Sequence, residues 1–122
     1  MIHNIIELRY AAAHELEDAV EEAINDQKLT FSARSLREIG FNSSGEIASA
    51  VERAMTICSR NGLAIREHFR PVYLSDNSTH TIFKDWKMSK LAYTLVIMNG
   101  DTGNRAVARL QFEMLKRYLK EN

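Results

Sequence analysis

The hydrophobic period of this 122-residue chain changes twice, and those changes constrain its fold more than any single motif. Apolar residues recur at three- and four-residue steps as far as Cys58. Residues 69–86 are instead short β-branched and aromatic runs, and helical spacing returns after Ser89. The first helical pattern, Ile5, Leu8, Ala12, Leu16, Ala19, Val20, Ala23 and Ile24, predicts an amphipathic helix over about 3–26. After a short connection, Ser32 is placed to cap a brief helix, Ala33 to Ile39, that Gly40 ends. Ser43 with Glu46 three residues on forms a capping box. It opens a helix whose stripe runs Ile47, Ala50, Val51, Ala54, Ile57 and Cys58 and which Asn61-Gly62 stops. Two helices joined by a short glycine-containing turn have a helix-turn-helix-like outline.

The aromatic segments around Asp76-Asn77-Ser78 read as a β-hairpin. Pro71 keeps its strand at an edge or near its start, because proline has no N–H for a ladder. Ser89 caps a helix through Met98 that closes at Asn99-Gly100, with Gly100 expected at positive φ. Asp101 or Thr102 then caps a last helix from about Asn104 to Lys120. The expected class is α+β, mostly helical: a helix-turn-helix-like pair, a β-hairpin and two C-terminal helices in a single domain over 1–122.

Charge is balanced over the whole chain, with 16 Lys and Arg against 16 Asp and Glu, but not along it. Residues 1–30 hold two cations against seven carboxylates, a net −5, while 31–122 hold 14 against nine, a net +5. An acidic element beside a basic body can meet it within the molecule or across a dimer, or can be a solvated helix face. A helix of about seven turns with a sustained apolar stripe also needs a cover, so a homodimer is expected. Glu15, Asp18, Glu21 and Glu22 are the candidate partner-binding residues on it. One cysteine gives no disulfide framework, and the first residues lack the basic start and apolar core of a signal peptide. No run is long enough to span a bilayer. The expectation is a cytoplasmic chain away from membranes.

Catalytic patterns are missing. His3, His14, His68 and His80 are too scattered for a zinc site, and His14 lacks the second histidine of a metalloprotease helix. Ser43 and Ser44 precede Gly45 without a nucleophile elbow, and Cys58 lies on an apolar stripe. Gly100 and Gly103 lack the strand and lysine of a phosphate loop, although free N–H groups at a helix start can also meet a phosphate. No enzyme, cofactor or metal is expected.

What remains is basic surface. Arg34 and Arg37 lie on the brief helix, Lys84, Lys87 and Lys90 on the hairpin side, and Arg105, Arg109, Lys116, Arg117 and Lys120 on the last helix. Arg105 and Arg109, four apart, share a helix face. Phosphate contact needs only cations aimed along a backbone, so this set suits nucleic acid without sequence readout. Tyr73 and Trp86 can stack on unpaired bases or belong to the core.

The run MSKLAYTLVIMNGD (88–101), followed by Gln111, resembles the DNA-damage-inducible protein D family. There a serine-led helix with a small residue, an aromatic and leucine runs into Asn-Gly-Asp and then a helix carrying glutamine. Ser32 to Leu36, the break at Gly40-Phe41, Val51 to Ala54, Cys58, Asn61-Gly62, His68-Phe69 and Val72 follow the same order, so the likeness covers about 31–118. That family is similar to the BRO-N type domains of phage antirepressors. The resemblance implies DNA binding, or interference with recombination and repressor function, within damage (SOS) responses and transcription regulation. Here the second helix of the pair begins small and acidic, Ser43 to Glu46, leaving Asn42 as the base-reading side chain nearby. The family's prolines after Asn-Gly-Asp are replaced by TGNRA (102–106). Two functions follow: a regulator that touches DNA phosphates, or an antagonist of a repressor or recombinase that ignores bare DNA.

Overall fold

The computed structural model describes residues 28–121. The amphipathic helix expected over 3–26, with Glu15, Asp18, Glu21, Glu22 and the homodimer contact assigned to it, lies outside the described residues. The chain order is β1 (Phe31–Ser32), a 3₁₀ helix (Ala33–Arg37), α1 (Ser44–Arg60), α2 (Ile65–His68), β2 (Phe69–Asp76), β3 (Thr81–Met88), α3 (Lys90–Met98) and α4 (Arg105–Glu121). This is the mostly helical α+β class that the period changes predict.

Two elements go beyond what the period changes predict. Phe31–Ser32 pairs antiparallel with Lys87 and Met88, so the hairpin becomes a three-stranded sheet in the order β1-β3-β2. A two-residue strand carries too little pattern to announce itself. The single-turn helix α2 runs into β2 and is equally short. The hairpin register pairs Phe69 with Met88 at its base and Asp76 with Thr81 at its tip. β2 is an outer strand, as Pro71 requires.

Helix α1 forms as its sequence dictates. Ser43 Oγ accepts the Glu46 N–H at 3.1 Å. The Glu46 carboxylate reaches back to the Asn42 N–H at 2.7 Å, one residue beyond the usual partner of a capping box. At its far end Gly62 takes φ +74, with Gly62 N–H bonded to Ser59 O and Leu63 N–H to Cys58 O, the crossed pair of a Schellman stop. Its inner face, Ile47, Ala50, Val51, Ala54 and Cys58, packs among Leu36, Phe41, Phe69, Met88, Ala92, Val96 and Val107 to form the core.

Three local expectations are corrected. The brief helix is a five-residue 3₁₀ turn, and Ser32 gives it no side-chain cap; Asp85 of β3 accepts the Arg34 N–H instead, at 3.0 Å, and Ser32 Oγ–H at 2.6 Å. Asn104, not Asp101 or Thr102, caps α4: its Oδ1 accepts the N–H groups of Ala106 at 3.0 Å and Val107 at 3.5 Å. Gly100 is not at positive φ. Its glycine is required by crowding, since a Cβ there would stand 2.6 Å from Val107 Cγ1 and 2.9 Å from Phe41 Cζ.

Cys58 is 1% exposed, and burial raises its thiol pKa. The native protein is therefore expected to react with a thiol reagent at pH 8 far more slowly than the urea-unfolded chain, which should titrate one equivalent at once. The folded state holds this proton more tightly. The associated stability is complete below the ordinary thiol pKa of about 8.5 and declines as pH rises through the raised folded value.

Candidate nucleic-acid interface

The linker that joins α3 to α4 is held by hydrogen bonds from both sides. Gln111 Nε2 donates toward the carbonyls of Ile97 at 2.9 Å, Gly100 at 3.2 Å and Met98 at 3.3 Å, and Arg53 bonds Asn99 O. The carbonyls that end α3 thus have partners. Asp101 Oδ1 accepts the Gly103 N–H at 2.8 Å, an Asx turn. Asn104 Nδ2 donates to Gly40 O at 2.8 Å and to Glu46 Oε1 at 3.2 Å, tying the turn after the 3₁₀ helix to the start of α4. This segment joins helices and fixes where α4 points.

On α4 the result is three distinct faces. Val107 is fully buried, with Leu110, Met114 and Tyr118 half-buried along the inner side. At 100° per residue, Arg105, Arg109, Lys116 and Lys120 fall within about 60° of one another on an outer row. All four side chains are exposed. The row covers 15 residue steps, about 22 Å along the axis. Arg105 and Arg109 line a shallow groove of about 500 Å³ with Ile39, Ala106, Leu110 and Glu113. Lys116 meets Glu113 at 3.3 Å, with both side chains more than half exposed, a pairing that solvent and salt weaken. Arg117 is exposed but points away from this row by its position on the wheel.

The hairpin divides the other cations between its faces. Residues alternate along a strand, so Phe83 and Trp86 lie on opposite sides of β3. The Arg34 guanidinium lies 5.6 Å from the Phe83 ring centre, and the Lys84 ammonium 4.3 Å from that of Trp86. Lys84 is cross-strand from Tyr73, which is 67% exposed, whereas Trp86 is half-buried with its ring edge-on to Phe69 at 6.4 Å. Of the two aromatic stacking candidates, Tyr73 is therefore the accessible one. Lys87 stands between Ser32 and Arg70 in the sheet register and forms an exposed cationic pair with Arg70. Arg37 and Lys90 are exposed on the 3₁₀ helix and at the start of α3.

Sequence reasoning missed Arg70, although its position directly after the buried Phe69 in an alternating strand marks it as outward-facing. It also missed the exposed apolar stripe Phe112, Leu115 and Leu119 of α4. Their spacing of three and four is offset from the inner-face residues, and that offset is the signal that reveals them.

The start of α1 is a poor base reader: Ser43, Ser44 and Gly45 are exposed but short, and Glu46 is engaged by Asn42 and Asn104. At the tip of the hairpin, Asp76 accepts both the hydroxyl and the N–H of Ser78. These bonds lower its carboxyl pKa, the hydroxyl being the larger cause. Among the described residues, no cluster of three His, Cys, Asp or Glu can hold a metal ion, and no helix is long and apolar enough to cross a membrane. Comparison with family models, curated proteins and solved structures finds no match to this chain.

Proposed function

We propose that this chain is a small non-enzymatic regulator of DNA metabolism or phage gene control that contacts the DNA backbone through a basic surface. The observation that carries the reading is the exposed row Arg105, Arg109, Lys116 and Lys120 along α4. Such a row meets phosphates without reading bases, and the short side chains at the start of α1 agree with contact of that kind. Tyr73 beside Lys84 on the hairpin adds a stacking position for an unpaired base. The resemblance of residues 31–118 to the damage-inducible protein D and BRO-N type domains supports the same setting, inside the cytoplasm.

The test is binding to labelled single- and double-stranded DNA across a salt series, for the intact chain and for Arg105→Glu with Arg109→Glu. The intact chain is expected to bind with an affinity that falls steeply as salt rises, and the double variant to lose that binding. In Arg105→Ala with Arg109→Ala the log–log salt slope should flatten by about 2, close to one unit for each phosphate that is no longer neutralised. Absence of binding even at low salt sinks the reading.

A second reading is a protein-binding antagonist, an antirepressor or recombinase inhibitor that ignores bare DNA. The exposed apolar stripe Phe112, Leu115 and Leu119 is what favours it, since a helix face of this kind suits a protein partner. Capture of a purified repressor or recombinase by the intact chain, abolished in Leu115→Lys, distinguishes it.

A further inference from the structure

We infer that the outer face of α4 docks an acidic amphipathic helix presented by a protein partner, and that this helix and DNA exclude each other. The inference rests on the reading of a protein partner and names the chemistry that such a partner presents. Phosphates account for only part of this face. The cations Arg105, Arg109, Lys116 and Lys120 have apolar surface on both sides of their row. With Arg105 as zero on the helical wheel, the row ends at about 60°. Phe112, Leu119 and Leu115 lie about 20–80° round one side, and Ala106 and Leu110 lie about 100–140° round the other.

Phe112, Leu115 and Leu119 are 60%, 46% and 61% exposed, and Ile39, 41% exposed, lines the groove with Ala106 and Leu110. A DNA backbone presents phosphate and sugar, which gain nothing from covering such surface. An apolar side chain does gain, in proportion to the area it removes from water. Arg105 and Arg109 also keep their donors available. Among the described residues neither forms an ion pair, although Glu113 is one turn from Arg109; the Glu113 carboxylate meets Lys116 instead, at 3.3 Å. A guanidinium can engage a carboxylate through two parallel hydrogen bonds, which fixes orientation as well as charge.

Charge selects an acidic occupant, and the shape of the face selects a helix. Arg105 with Arg109 and Lys116 with Lys120 are pairs four residues apart, set along about 22 Å of α4. A partner helix of about 15 residues spans that length. Its apolar stripe covers Phe112, Leu115 and Leu119, and carboxylates along one edge of that stripe reach the cationic row. A second copy of α4 would bring like charges together instead. A flat anionic bilayer fits less well, because the surface beyond Arg105 and Arg109 is a concave groove with Glu113 in its lining. The docked helix covers the guanidiniums that phosphates need, so one ligand displaces the other.

The experiment uses the full chain and a fluorescein-labelled synthetic helix of about 18 residues, built from leucine, alanine and glutamate with leucine at three- and four-residue steps. Anisotropy is expected to show binding that salt weakens, and the unlabelled helix should displace labelled duplex DNA. A peptide of the same composition in scrambled order should bind about tenfold more weakly or worse. Arg105→Glu with Arg109→Glu should lose both ligands. Phe112→Ser with Leu119→Ser should weaken the helix about tenfold or more while DNA binding, its salt slope and the urea midpoint stay at parent values. Equal binding of the ordered and scrambled peptides, or no effect of the Phe112 and Leu119 changes, overturns the inference. DNA binding without helix binding also overturns it and leaves the phosphate reading standing. Helix binding without DNA binding at low salt supports it and removes the phosphate reading. Binding to phosphatidylglycerol vesicles without binding of the helix overturns it in favour of a lipid surface.

Discussion

Replacing Asp85 with alanine is expected to destabilise the protein by about 3 kcal/mol, read as a lower urea midpoint at an unchanged slope. Asp85 is 4% exposed and accepts three hydrogen bonds: Ser32 Oγ–H at 2.6 Å, Trp86 N–H at 2.8 Å and Arg34 N–H at 3.0 Å. The first N-terminal turn of any helix leaves N–H groups without intrahelical partners, and here a strand side chain 51 residues away satisfies one of them. Hydrogen bonds to a charged acceptor contribute about 1.5–3 kcal/mol each, and truncation also strands donors in a partly dry pocket. Water reaching the exposed Arg34 side recovers part of the loss, which keeps the net below the sum of three bonds. Asp85→Asn retains one acceptor oxygen and should cost roughly half as much, whereas Ser32→Ala removes a single bond and should cost about 1 kcal/mol. An Asp85→Ala midpoint within about 0.5 kcal/mol of the parent would show that the carboxylate does not join β1, β3 and the 3₁₀ helix.

That carboxylate also marks the boundary between what could and could not be read from the sequence. Ser43 with Glu46, Asn61-Gly62, Ser89 and Pro71 act on backbone groups within a few residues or on their own strand, so their spacing in the chain reveals them. Asp85 and Asn104 act across the fold. Asn104 lies 64 residues from Gly40, whose carbonyl it binds, and nothing local distinguishes it from Asp101 or Thr102 as the cap of α4. Gly100 is legible as a glycine that matters but not for its reason, because its crowding by Phe41 and Val107 exists only after packing. The same division holds at the candidate site. The cations and their exposure follow from residue type, and Arg105 with Arg109 follows from helical spacing. The separation of Arg34 from Lys84 onto opposite sides of β3, with Phe83 and Trp86 beneath them, needs the register.

Gly40→Ala is expected to cost about 3 kcal/mol or more, because two independent penalties meet at one residue. Its φ of +123 lies where a side chain is strained, at about 1–2 kcal/mol. A Cβ built there would also stand 2.5 Å from Ala106 Cβ and 3.7 Å from Ala106 Cα, and forcing atoms into such a contact costs a further 1–3 kcal/mol, roughly, in backbone shifts. The Gly40 carbonyl accepts from Asn104 Nδ2 at 2.8 Å, so any shift that relieves the clash strains the cap of α4 as well. Gly62 separates the two terms. It also has positive φ, +74, but a Cβ there meets nothing within 4 Å, so Gly62→Ala should show the torsional cost alone. Pairing Gly40→Ala with Ala106→Gly removes the Cβ–Cβ contact, so the two changes should be coupled by roughly 1–3 kcal/mol, the clash term alone, which a double-mutant cycle in urea denaturation can read. Equal costs at the two glycines, with no coupling to Ala106, would mean that the turn after the 3₁₀ helix does not press on α4. If the coupling is found, Gly40 fixes the N-terminal turn of α4, and the Arg105–Arg109 groove opens from that turn. Salt-sensitive DNA binding should then weaken in Gly40→Ala even where the chain remains folded, and return with Ala106→Gly.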